Sequence, residues 1–168
     1  MFVGHYGISF AAKKADPSFR LWVLFFAVQL LDIAWAPLVL LGIEKVRIVP
    51  GITASNPLDL YYMPYTHSLA AAIVWSAGAS VLYRIAVPGS RKRSALLVAA
   101  AVFSHWLLDF FVHRPDLPLY DDAVKVGLGL WNLPCQPDRP IAHVIRIRSG
   151  PRAAPAAERT RHSSWRNS

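Results

Sequence analysis

Apolar positions fall in three long runs divided by short polar segments. Residues 21–43 are 23 positions whose only charge is Asp32, and residues 68–87 are 20 positions with Arg84 near their end. Residues 94–112 are 19 positions interrupted by His105 and Asp109. At 1.5 Å rise per residue each run reaches roughly 30 Å, the thickness of a hydrocarbon core. The pattern predicts three membrane-spanning helices. A fourth apolar stretch, residues 1–12, is long enough for about 16 Å of helix, half a bilayer at most. The expected fold class is therefore all-α: an integral membrane helical bundle of about three transmembrane helices plus an N-terminal half-helix.

The links between runs carry turn and boundary signals. Asp16-Pro17-Ser18 is a plausible helix start, with proline at the first helical position. Residues 44–66 form a loop rich in Pro, Asn and Tyr, and Tyr61, Tyr62 and Tyr65 stand where interfacial aromatic belts lie. Residues 87–94 are a tight basic turn, and 114–132 a loop of Pro, Asp and Gly. Lys13, Lys14 and Arg20 resemble the start of a secretory signal. The run that follows them is too long for one, and Pro37 after Ala34-Trp35-Ala36 disfavours cleavage. The first span is expected to stay in place.

Charge gives orientation. Lys13, Lys14, Asp16 and Arg20 sum to +2, and Arg84, Arg91, Lys92 and Arg93 to +4. Glu44, Lys45, Arg47 and Asp59 sum to zero, and residues 114–125 to −1. The positive-inside rule thus places residues 13–20 and 84–93 in the cytoplasm and the loops 44–66 and 113–132 outside. A multi-pass protein of the bacterial inner membrane, with the lipid bilayer as its partner, is the expected localisation.

Composition supports this and divides the chain. Hydrophobic residues are 54% of the total, ordinary for a small membrane protein. The net charge of +8 first suggests nucleic acid, but residues 133–168 hold seven Arg against one Asp and one Glu and so supply +5 of it. Residues 1–132 are expected to be the membrane helical domain. Residues 133–168 are expected to be a disordered basic tail rich in Pro, Arg and Ala, a frame-shifted or degenerate terminus in place of a fourth span. Such a tail can touch anionic lipid or nucleic acid; no specific nucleic acid is predicted. The single cysteine, Cys135, excludes an internal disulfide and a Cys-rich zinc site.

Ionisable groups inside apolar runs are expensive, so they need a partner or a task. His105 and Asp109 stand at i, i+4, about 40° apart on one helix face, with His113 about 80° from His105. Asp32 lies near the midplane of its run, and His67 opens the second run at the outer end where His113 closes the third. His5 reaches the same depth only if residues 1–12 turn back into the bundle. Imidazole and carboxylate together suit zinc and related divalent ions. The competing reading is structural: Asp32 paired with Arg84, and His105 hydrogen-bonded across helices. Ser68 and Ser104 neighbour histidines but point away from them on a helix, so neither makes a dyad. Glu44 and Asp59 are loop carboxylates with no fixed position, and Arg114 is either a phosphate ligand or an interfacial anchor.

Gly4-His5-Tyr6, Leu31-Asp32, Tyr65-Thr66-His67-Ser68 and His105-Trp-Leu-Leu-Asp109 resemble the YdjM-like (DUF457-type) bacterial inner-membrane proteins, a family regarded as metal-dependent hydrolases. The resemblance covers about residues 1–132. That family is in turn distantly similar to zinc-dependent phospholipase C and P1 nuclease. The resemblance implies a metal site, probable zinc, formed by His5, Asp32, His67, His105 and Asp109, with His113 a further candidate. It implies hydrolysis of a phosphoester, lipid-linked or other, by ion-activated water, with Asp32 a candidate base. The alternative is a non-catalytic membrane protein with a structural or vestigial His/Asp site.

Overall fold

The computed structural model describes residues 3–133. The expected disordered tail, apart from Leu133, lies outside these residues. Helix α1 (Tyr6–Ala15) is the anticipated half-helix, and Lys13 and Lys14 in its last turn suit the negative end of its dipole. Helices α2 (Leu21–Val28) and α3 (Leu30–Leu40) together make the first apolar run, bent at buried Gln29. Helix α4 (Leu69–Ala86) starts at Ser68, whose hydroxyl accepts from the Ala71 N–H, and α5 (Lys92–Val112) is the third run. The α2–α3 pair, α4 and α5 are each long and apolar enough to cross a membrane. Trp22, Phe26, Val74, Leu82, Ile85 and Leu96 remain exposed on their outer faces, as lipid-facing positions should.

Helix α5 is the hub, packing against α1, α2, α3 and α4. Small side chains allow this. Ala95, Ala101, Ala27 and Ala72 are buried with Val98 and Val102, so backbones approach closely where lipid gives helices no hydrophobic drive to associate.

The expectation of an all-α fold needs correction. Two small antiparallel sheets cap the bundle: β1 (Lys45–Ile48) with β2 (Leu58–Tyr62), and β3 (Leu117–Pro118) with β4 (Lys125–Val126). Both loops fold down onto the helix ends, where water cannot satisfy every backbone group, and pairing strands is the local remedy. Leu60, Met63 and Leu117 form a second small core under this cap, with Trp35, Leu58, Phe110 and Val126 packed on it.

The partition of the links into two ends matches the charge reading. At one end Ser94 donates to the Asp16 carboxylate (2.8 Å), and Arg93 donates to the Ala15 carbonyl (3.2 Å). At the other, Lys125 donates to the Tyr61 carbonyl and Ser55 to that of Trp131. Residues 13–20 and 84–94 therefore share one face, and the two capped loops share the opposite one.

Candidate metal centre

Each element contributes one part of a buried His/Asp cluster. Helix α1 runs from the basic end back into the bundle, and its N-cap, His5, arrives beside α5 with 1% exposure. The His5 ring stacks on His105, centroids 4.0 Å apart. Asp32 lies on α3, eight residues or about 12 Å below the outer end at Leu40. His67 precedes the Ser68 cap of α4. His105, Asp109 and the C-cap residue His113 recur every four residues along α5. All six residues expected from the sequence are brought together, five of them nearly or fully buried and Asp32 at the edge.

Asp109 occupies the centre, with Asp32 closing the cluster on its exposed side. Asp32 Oδ1 is 3.4 Å from both His67 Nε2 and His105 Nε2. Asp109 Oδ2 is 3.2 Å from His105 Nε2 and 3.8 Å from His67 Nε2. Its other oxygen, Oδ1, lies 3.4 Å from His5 Nε2 and 3.8 Å from His113 Nε2. Two triads, His5/His105/Asp109 and Asp32/His67/His105, have donor atoms mutually within 4.8 Å.

The remaining ring nitrogens show how the histidines are oriented. His105 Nδ1 lies 2.6 Å from the Val28 carbonyl beside the Gln29 bend. A carbonyl only accepts, so Nδ1 carries the proton and Nε2 faces the carboxylates. His113 Nδ1 is 3.0 Å from Asp116 Oδ1, and His67 Nδ1 is 2.8 Å from Thr66 Oγ1. Three imidazoles thus turn Nδ1 outward to an anchoring oxygen and Nε2 inward.

Several single-residue readings are settled by position. Asp32 meets His67 and His105, far from Arg84 at the opposite end of α4. Arg114 is held between Asp116 (3.1 Å) and Asp59, and Asp59 also binds Arg47 (2.6 Å), so neither Asp59 nor Arg114 points at the cluster. Ser68 donates to the Pro64 carbonyl and Ser104 to that of Ala101. The sequence named Glu44 without fixing its position and Thr66 without a role, and it did not single out Asp116, because all three reach the site through loops without periodicity. Only the three-residue spacing of His113 and Asp116 was a readable cue.

A cleft of about 360 Å³ leads to the cluster, its walls formed by Trp35, Leu58, Leu60, Met63 and Trp131 with Asp32, His67, Asp109 and His113 exposed to it. The Trp131 ring lies on His113, centroids 4.2 Å apart. Gly127 passes close over the C-terminal end of α5. A Cβ there would lie 2.3 Å from the Arg114 carbonyl oxygen and 2.5 Å from that of His113. No protein-family model, curated protein or solved structure matches this chain.

Proposed function

We propose that the cluster binds a divalent cation, zinc in the first instance, and that the protein is a membrane-embedded hydrolase of phosphoesters. The observation that carries this reading is the spacing of four donors: Asp32 Oδ1, His67 Nε2, His105 Nε2 and Asp109 Oδ2. Zinc bonds of about 2.0–2.1 Å in a tetrahedron require ligand–ligand edges of about 3.3–3.4 Å. The four donor–donor distances between the imidazole nitrogens and the carboxylate oxygens are 3.2, 3.4, 3.4 and 3.8 Å.

Charge argues the same way. The charges of buried Asp109 and part-buried Asp32 are balanced by one divalent ion with every imidazole neutral. Balancing them with protons instead places positive rings side by side. Were His5 and His105 both charged at 4.0 Å, their repulsion would be about 4 kcal/mol at an effective dielectric of 20. The outward Nδ1 anchors are the support that metal-ligating histidines characteristically have. On the far side of Asp109, His5 (3.4 Å) and His113 (3.8 Å) are the residues that would hold a second ion, as two-ion hydrolytic sites use.

With Asp32 free to act as base, His67, His105 and Asp109 would hold the ion and leave its fourth position open, and the ion would supply an acidified water and a polarised phosphoryl oxygen. The chain's own contribution is to bind, orient and exclude water. The N-terminal ends of α1 and α4 border the cluster, and their positive dipole ends favour an anionic substrate group. Trp35, Leu58, Leu60 and Met63 give the cleft apolar walls suited to a lipid-linked phosphoester. Asp32, the most exposed of the four donors, is the side chain placed to take a proton at the cleft. With the basic end in the cytoplasm, the cleft faces the outer side of a bacterial inner membrane.

The test is metal analysis of detergent-purified protein beside hydrolysis of a phosphodiester lipid in mixed micelles. Stoichiometric zinc and turnover, both lost in His105→Ala, are expected. Purified protein that takes up no divalent ion would overturn the proposal. Bound ion without turnover would leave the non-catalytic reading.

A further inference from the structure

Glu44 lies between α3 and β1, and its side chain is buried with 1% of the residue exposed. Burying a carboxylate is costly unless strong partners compensate. Among the described residues its partners are three hydrogen-bond donors and no cation. Oε1 accepts from the Tyr65 N–H (2.8 Å) and the Thr66 N–H (2.9 Å), and Oε2 accepts from the Thr66 hydroxyl (2.6 Å). Capping the two backbone groups takes one oxygen and no net charge. The second oxygen serves only the hydroxyl of Thr66.

That hydroxyl has a single proton. Once it is given to Glu44, the 2.8 Å contact between Thr66 Oγ1 and His67 Nδ1 must have the ring as donor. The proton then sits on Nδ1, and the lone pair on Nε2 faces Asp32 at 3.4 Å and Asp109 at 3.8 Å. We infer that Glu44, acting through Thr66, is a positioning residue that fixes the tautomer and direction of His67 for cation binding. The inference rests on the cation-site reading above and adds two residues from the outer cap to it. Carboxylate, hydroxyl and imidazole form a chain in which each charge-assisted bond strengthens the next and raises the basicity of Nε2.

Substitution separates this role from simple capping. Thr66→Val keeps the shape and leaves the Glu44 bonds to both N–H groups in place, but removes the acceptor for Nδ1. Thr66→Ser restores it. In Glu44→Gln, an amide oxygen facing the two N–H groups puts the NH₂ against Thr66 Oγ1. The hydroxyl then donates its hydrogen bond to an unprotonated Nδ1, and the single proton of the neutral ring sits on Nε2, where it blocks the ligand position.

Zinc affinity of the full-length, detergent-purified protein, measured by chelator competition, is expected to fall roughly 10–100-fold in Thr66→Val and in Glu44→Gln, and to recover in Thr66→Ser. Long-range ¹H–¹⁵N NMR of zinc-free wild type should show His67 protonated on Nδ1, and Glu44→Gln should show it on Nε2. The NMR measurement decides the matter even if a variant folds poorly, because it is made on wild type. A wild-type His67 protonated on Nε2, or an unchanged zinc affinity in Thr66→Val, would overturn the inference while leaving the cation site standing. Absence of zinc binding by wild type would instead overturn the cation site, and this inference with it.

Discussion

Asp109→Asn is the substitution to which the proposed centre should respond most. Asparagine has the same shape, so no cavity opens and α5 keeps its packing. What changes is the charge and one acceptor oxygen at a point within 3.2–3.8 Å of four imidazoles. Structural zinc sites bind with roughly 10–16 kcal/mol, or about 3–4 kcal/mol for each of four ligands. At 1.4 kcal/mol per tenfold, losing the Asp109 ligand should weaken zinc roughly 10²–10³-fold. Asp116→Asn, which reaches the site through His113 Nδ1 (3.0 Å) and so acts outside the four-donor set, should weaken it by less than about tenfold. Chelator competition followed by elemental analysis reads both, with helicity by circular dichroism as the control for folding. Wild-type zinc affinity in a folded Asp109→Asn protein would refute the reasoning, since no arrangement of the remaining donors reproduces the four-edge set.

Three further substitutions probe the scaffold. Gly127→Ala drives a Cβ into two backbone carbonyls at 2.3 and 2.5 Å at a φ of +154°, so thermal unfolding in detergent should show a loss of roughly 2–4 kcal/mol from strain and overpacking. Ala101→Leu, at a buried position on α5, should cost about 1–3 kcal/mol in the same assay because the neighbouring helices cannot recede without losing contact with α5. Asp16→Asn tests the inner-end latch. Hydrogen bonds from the Ser18 and Ser94 hydroxyls hold the Asp16 carboxyl below its usual value of 3.8. A depressed folded-state value means that stabilisation is present above about pH 4 and is lost as pH falls through it. Wild type should therefore unfold at a higher temperature than Asp16→Asn near neutral pH, and the difference should close in acid; a constant gap across pH would count against the latch.

The sequence exposed those parts of this molecule that repeat locally. Spans follow from uninterrupted apolar runs, and the His105–Asp109–His113 face follows from helical spacing alone. Depth counting put Asp32 near the midplane and His67 at the end of its run; their 3.4 Å contact comes from how the spans pack. The bend at Gln29 was not anticipated, although a lone amide inside an apolar run was its visible sign; Pro37 sits within α3 instead. The β1–β2 pairing escaped notice because its strands are short and mix Lys, Arg and Asp with apolar residues. The Glu44–Thr66 contact spans 22 residues of loop and leaves no periodic trace. Such contacts are set by how the cap settles on the helix ends.

The geometry also assigns different dependence to the two sides of Asp109. His67, His105 and Asp32 come from spans that meet directly at the hub helix, and their donors meet Asp109 Oδ2 or each other without help from α1. His5 reaches Oδ1 only because ten residues of α1 lie along the bundle, and that helix is tied to the rest at its basic end by Asp16 to Ser94 and by Arg93 to the Ala15 carbonyl. Lys13 closes the same corner through the Pro17 and Phe19 carbonyls. Loosening this latch removes His5 from Oδ1 while leaving the four-donor set intact. Events at the basic face are thus transmitted, if at all, to the far oxygen of Asp109 and to any second ion there. The four-donor set feels them less directly, through the His5–His105 ring stack at 4.0 Å and the packing of α1 on α2.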